Sequence, residues 1–168
     1  MNAIHSLANP RLPDPSSAPP RRILVAEDDS SLRKLNTIVL ALSGYAVDAV
    51  EDGAAAWEAM NAESYDLLIT DNNMPRWTGV DLLKKLRASR MEMPVVMATG
   101  AFPPEDFVRQ PWLRPNAMLL KPYSTEQLLE TVKGVLHMTA EGHEQTVPAK
   151  EACRMSRRPT AGSYDEAG

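Results

Sequence analysis

Five short apolar runs alternate with five segments of helical character along this 168-residue chain, and that alternation specifies an α/β protein built on one parallel sheet. Two features support the assignment. Runs such as Leu67-Leu68-Ile69 and Val95-Val96-Met97 are apolar without alternating, as strands covered on both faces are. The strict strand-helix order also requires right-handed crossovers, which place helices on both faces of a doubly wound sheet.

The elements follow in order. RILVA (22–26) is the first strand. A helix is expected over 31–42, with Leu32, Leu35, Val39 and Leu42 on its inward face. YAVDAV (45–50) follows Gly44 as the second strand, and Asp52 is placed to cap a helix over 53–62. DLLIT (66–70) is the third strand. Thr78 or Gly79 then opens a helix to about 89 that turns Val80, Leu83 and Leu86 inward. PVVMAT (94–99) is the fourth strand. A short fourth helix over 104–113 is weakened by Pro111 and Pro115. The large side chains of the proline-heavy stretch 100–116, Phe102, Phe107 and Trp112, are expected in the core, with a remodelled partner surface as the alternative. AMLLK (117–121) is the fifth strand. STEQ (124–127) is a capping box for a helix through about 138, with Leu128, Leu129, Val132 and Leu136 inward.

The flanks read differently. Residues 1–20 are proline-rich and read as a flexible leader, and 141–168 are polar without apolar period and read as a disordered tail. That leaves one domain over 21–140. The net charge is −4, but 23–142 holds 17 Asp/Glu against 11 Lys/Arg, which argues against nucleic acid as a direct partner. The single cysteine, Cys153, permits no internal disulfide, and no apolar run approaches the roughly 18 residues that span a bilayer. With no signal-peptide pattern at the N-terminus, a soluble cytoplasmic protein is expected.

Ligands of such sheets bind beyond the carboxyl ends of the strands. Glu27, Asp28 and Asp29 follow the first strand, Asp71 the third, Thr99 stands at the end of the fourth and Lys121 at the end of the fifth. Each has a plainer reading alone. Asp28 or Asp29 suits a helix cap, Lys121 a surface lysine, and Thr99-Gly100 a turn. Together they make a crevice of carboxylates that needs a hard cation such as Mg²⁺, with a fixed ammonium beside it. An aspartate between a metal and a lysine suits nucleophilic attack on phosphorus, because both cations neutralise phosphoryl oxygens. Thr99 is placed to hydrogen-bond the added group.

These residues resemble the receiver domain of bacterial two-component response regulators over about 22–138. The stretches that carry the likeness are ILVAEDDSSLR, LLITDNNMPRWTGVDLL, PVVMATG and LLKPYS. The resemblance implies a flavodoxin-like sheet of strand order 2-1-3-4-5. It implies Asp71 as phosphoacceptor, Glu27 and Asp28 as the acidic pair for Mg²⁺, and the backbone carbonyl of Asn73 as a further metal ligand. It implies Thr99 as the switch hydroxyl, Lys121 as the phosphoryl-contacting lysine, and a cis bond before Pro122. The partners implied are a sensor histidine kinase or phosphotransfer protein, and a downstream protein on the face of the fourth helix, fifth strand and fifth helix. No direct DNA binding and no membrane are expected, and the regulator is expected to stand alone. One departure is Met118, where the family usually has an aromatic residue, and it keeps open a pseudo-receiver module that phosphorylation does not regulate. An aspartyl phosphatase would want a second acid two residues after the nucleophile, and Asn73 stands there instead.

Overall fold

The computed structural model of the protein describes residues 19–100, 107 and 109–144. Its elements are β1 (Arg22–Ala26), α1 (Ser30–Leu42), β2 (Ala46–Val50), α2 (Gly53–Ala62), β3 (Leu67–Asp71), α3 (Gly79–Ala88), β4 (Val95–Thr99), a 3₁₀ turn (Pro111–Leu113), β5 (Ala117–Leu120) and α4 (Thr125–Glu144). The strands form one parallel sheet in the order β2-β1-β3-β4-β5.

Side chains that alternate along each strand feed two apolar layers, as the pleat requires. Leu24, Leu68 and Met97 face α2 and α3, where Met60, Leu83 and Leu86 close the layer. Ile23, Ile69 and Val96 face α1 and α4, where Leu40, Val132 and Val135 close it. β3 and β4 are buried at every position, which explains their unbroken apolar runs.

Helix starts follow local chemistry. Asp29 caps α1, its Oδ1 accepting from the Ser31 and Leu32 amides at 2.8 and 2.9 Å. Asp28 is therefore not needed as a cap. Asp52 caps α2 in the same way. Thr78 and Asp81 form a capping box on α3, and Ser124 and Gln127 one on α4. After α1, Gly44 turns the chain at φ 91°, in the left-handed region glycine enters freely.

Three expectations are corrected. The inward arc of α1 holds Asn36 and Leu40, whereas Leu35 and Leu42 are 47% and 84% exposed. The arc is rotated because a polar residue sits in it, and Asn36 is satisfied by donating to Tyr123 Oη at 3.0 Å. Trp112 is 61% exposed, and Leu113 fills the core place beside it because a 3₁₀ turn, not a longer helix, carries them. Phe107 is buried as expected, while Phe102 lies outside the described residues. The last helix runs to Glu144, beyond the expected end near 138.

Candidate functional site

The ladder reaches one residue past β1, β3 and β5 and so fixes what stands at the carboxyl edge. The Glu27 amide donates to Val50 O at 3.1 Å, the Asn72 amide to Ala98 O at 2.9 Å and the Lys121 amide to Thr99 O at 2.8 Å. The Arg33 guanidinium reaches back one turn from α1 to the carbonyls of Glu27 and Asp28. Lys121-Pro122 is cis.

This backbone brings Glu27, Asp28 and Asp71 together, with one carboxylate oxygen from each within 4.8 Å of the others. Glu27 and Asp71 are buried and Asp28 is exposed. Lys121 Nζ lies 2.7 Å from Asp71 Oδ2 and 2.8 Å from Glu27 Oε2. The other Asp71 oxygen accepts the Asn73 amide at 3.1 Å. Thr99, also buried, ends β4 on the strand next to Asp71. Of the residues singled out from sequence, these are placed at one edge, while the exposed Asn73 takes part here through its backbone amide.

The electrostatics follow from burial. Desolvation pushes the Glu27 carboxyl up, the Lys121 hydrogen bonds pull it down, and the nearby Asp71 charge pushes it up again, with a net rise. Burial pulls the Lys121 ammonium down, but its bonds to Asp71 and Glu27 outweigh that and leave it raised. One ammonium against three carboxylates leaves negative charge uncompensated. An all-oxygen donor set of this kind fits Mg²⁺, with Glu27, Asp28 and Asp71 as the residues to hold it.

Other contributors have weaker sequence signals. Arg33 ends the stretch ILVAEDDSSLR, but nothing in that stretch announces its bonds to the Glu27 and Asp28 carbonyls. Tyr123 shows no pattern that would pair it with Asn36, 87 residues away. Gly79 opens α3 as expected, and the packing there requires a glycine. A Cβ there would stand 2.4 Å from the Asp71 carbonyl oxygen and 3.0 Å from Asn72 Cα. α3 therefore abuts the Asp71 backbone through its one side-chain-free residue. Gly79→Ala is expected to cost about 2 kcal/mol in urea unfolding, as overpacking does, and to weaken Mg²⁺ binding with it. An unchanged midpoint would show that the helix start yields freely.

A parallel sheet of order 2-1-3-4-5, with carboxylates and a lysine at its carboxyl edge, defines the CheY-like class of signalling domain. The chain belongs to the response regulator receiver domain family, whose model matches residues 23–133. It is 34% identical over 119 residues to the chemotaxis protein CheY1 of Helicobacter pylori, covering 68% of this chain and 96% of that protein. It is 31% identical to the transcriptional regulatory protein RprY of Bacteroides fragilis and 32% identical to TctD of Salmonella typhimurium. Those matches cover 68% and 71% of this chain but only 49% and 53% of the relatives, so the chain spans about half their length. Among solved structures, the chemotaxis response regulator CheY4 of Vibrio cholerae superposes with a TM-score of 0.63 at 29% identity, over 69% of this chain and 98% of that one. A CheY-like receiver domain protein from Methanospirillum hungatei gives 0.68 at 26% identity, over 73% and 98%. Among the described residues no helix is long and apolar enough to cross a membrane.

Proposed function

We propose that this receiver takes a phosphoryl group on Asp71 from a histidine kinase or phosphotransfer protein and signals through protein contacts. The observation that carries the reading is the placement of Asp71. It is a buried carboxylate at a strand end, 2.7 Å from Lys121 and within 4.8 Å of two further carboxylates. An Asp71 oxygen forms the new bond to phosphorus while the bond to the donor imidazole nitrogen breaks and its electron pair stays with the imidazole. Mg²⁺ supplies neutralisation of phosphoryl oxygens when bound. Glu27, Asp28 and Asp71 would hold that cation, assisted by the Asn73 carbonyl. Lys121 Nζ moves its hydrogen bond from Asp71 Oδ2 to a phosphoryl oxygen, and the Thr99 hydroxyl donates to another. The added charge biases the face made by β5 and α4, with the segment before β5, toward its partner.

A second reading, an interaction module that phosphorylation does not regulate, rests on Met118. It is half-buried in β5, opposite Met97, where a thioether replaces a ring. Incubation with acetyl phosphate and Mg²⁺ separates the two. The expected result is a retarded band on a phosphate-affinity gel that disappears with hydroxylamine, as an acyl phosphate does, and never forms in EDTA. Absence of the band would favour the unregulated module.

A further inference from the structure

Residues 72–78 link β3 to α3 and carry Asn73, so their backbone belongs to the centre read above. β3 alone does not hold them. Arg76 Nε donates to Asp52 Oδ2 at 2.8 Å, and a terminal guanidinium nitrogen closes the same ion pair. Asp52 is 3% exposed, and its Oδ1 caps α2 by accepting the Ala54 and Ala55 amides. One carboxylate thus serves the start of α2 with one oxygen and the loop with the other. Next to it, Gly53 is so close to Trp77 that a Cβ would stand 2.9 Å from Trp77 Cβ and from its carbonyl oxygen. Lys85 Nζ of α3 lies 4.8 Å from the ring centre of Trp57 on α2 and 4.3 Å from that of Trp77. Arg76 adopts φ 65°, a left-handed conformation uncommon for arginine, and in it the guanidinium meets Asp52. With Asp28 and Glu51 it lines the cleft beside the acidic cluster.

We propose that Arg76 is a positioning residue for the metal and phosphoryl centre. Its ion pair with Asp52 anchors loop 72–78 to α2 and holds the Asn73 backbone where the centre needs it. The inference rests on the reading of Glu27, Asp28 and Asp71 as a Mg²⁺ site. Two physical effects of Arg76 on that site have opposite signs, which makes the idea testable. As a cation lining an acidic cleft, Arg76 repels Mg²⁺, so its removal would tighten binding. As an anchor it holds the loop in place, so its removal would loosen binding.

Arg76→Asn is the informative variant, because asparagine tolerates the left-handed backbone but cannot reach Asp52. Mg²⁺ titration of the full chain by calorimetry is expected to show affinity falling about tenfold, the size typical of a lost supporting contact. Arg76→Lys keeps the charge and part of the reach, and recovers part of that loss. The urea midpoint without Mg²⁺ falls modestly, since the Arg76 side chain is 58% exposed and the buried Asp52 carboxylate it leaves keeps the Ala54 and Ala55 amides. Amide exchange accelerates selectively over residues 72–78. Equal or tighter Mg²⁺ binding by Arg76→Asn would overturn the proposal while leaving the phosphoacceptor reading intact. Exchange that accelerates throughout the chain would overturn it as well. A wild-type chain that binds no Mg²⁺ would remove both.

Discussion

Asp71→Asn is expected to abolish labelling by acetyl phosphate while leaving the fold intact. The amide has no anionic oxygen to attack phosphorus, and no other carboxylate can take over. Glu27 has both carboxylate oxygens engaged by Lys121, where Asp71 gives that ammonium only one, and the exposed Asp28 lacks a lysine contact among the described residues. In the absence of Mg²⁺ the substitution removes one attraction, to Lys121 at 2.7 Å, and relieves repulsions from two carboxylates within 4.8 Å. These nearly cancel, so the unfolding free energy changes by about 1 kcal/mol or less. The Mg²⁺ response does not cancel. A ligand at 100 times its Kd stabilises a fold by about 2.7 kcal/mol, and Asp71→Asn gains visibly less than wild type at the same concentration. Urea titrations with and without Mg²⁺, beside the gel assay, check both parts. A labelled Asp71→Asn protein would place the acceptor elsewhere.

Legibility in the sequence divides by the range of the interaction. The unbroken apolar runs of β3 and β4 reflect burial of every residue in them, so strand positions, parallel order and the carboxyl edge follow from the chain's own pattern. Asp71, Glu27, Asp28 and Lys121 were traceable for that reason, each lying at a strand end or within two residues past it. The caps Asp52 and Ser124 were traceable because capping is local. Long-range pairings have no period. Asp52 reads as a cap, but nothing in the sequence announces its bond to Arg76, 24 residues away. The arc of α1 misled because apolar spacing presumes an apolar lining. Asn36 is buried through a partner 87 residues off, and Leu35, Ile38 and Leu42 face outward. Trp112 misled because size suggests burial, whereas a short turn can bury only one of two adjacent side chains.

Lys121→Met is expected to produce the largest loss of stability, and one that depends on pH and on Mg²⁺. Methionine has comparable length and no charge, so the buried Glu27 and Asp71 carboxylates lose their shared ammonium. Removing one partner of a buried pair costs about 3 kcal/mol at neutral pH. The sign of the pH dependence follows from Glu27. Its carboxyl is already pushed up by burial, against the pull of Lys121, so the folded state holds that proton more tightly than the unfolded chain. Stability from that term is present below the ordinary glutamate value, about 4.3, and is lost as pH rises through the folded value. Without Lys121 the folded value climbs further, so the variant's deficit against wild type grows as pH rises above that point. The ammonium itself is raised, so its own contribution in wild type stays complete below the ordinary lysine value, about 10.4, and adds no slope between pH 5 and 8. Urea unfolding at pH 5 and pH 8 should therefore show a smaller deficit at the lower pH. At pH 8, Mg²⁺ should narrow it, because a divalent ion on Glu27, Asp28 and Asp71 replaces the missing positive charge. A deficit equal at both pH values and unmoved by Mg²⁺ would mean that Lys121 stabilises the chain through the packing of its stem, not as the counterion of this centre.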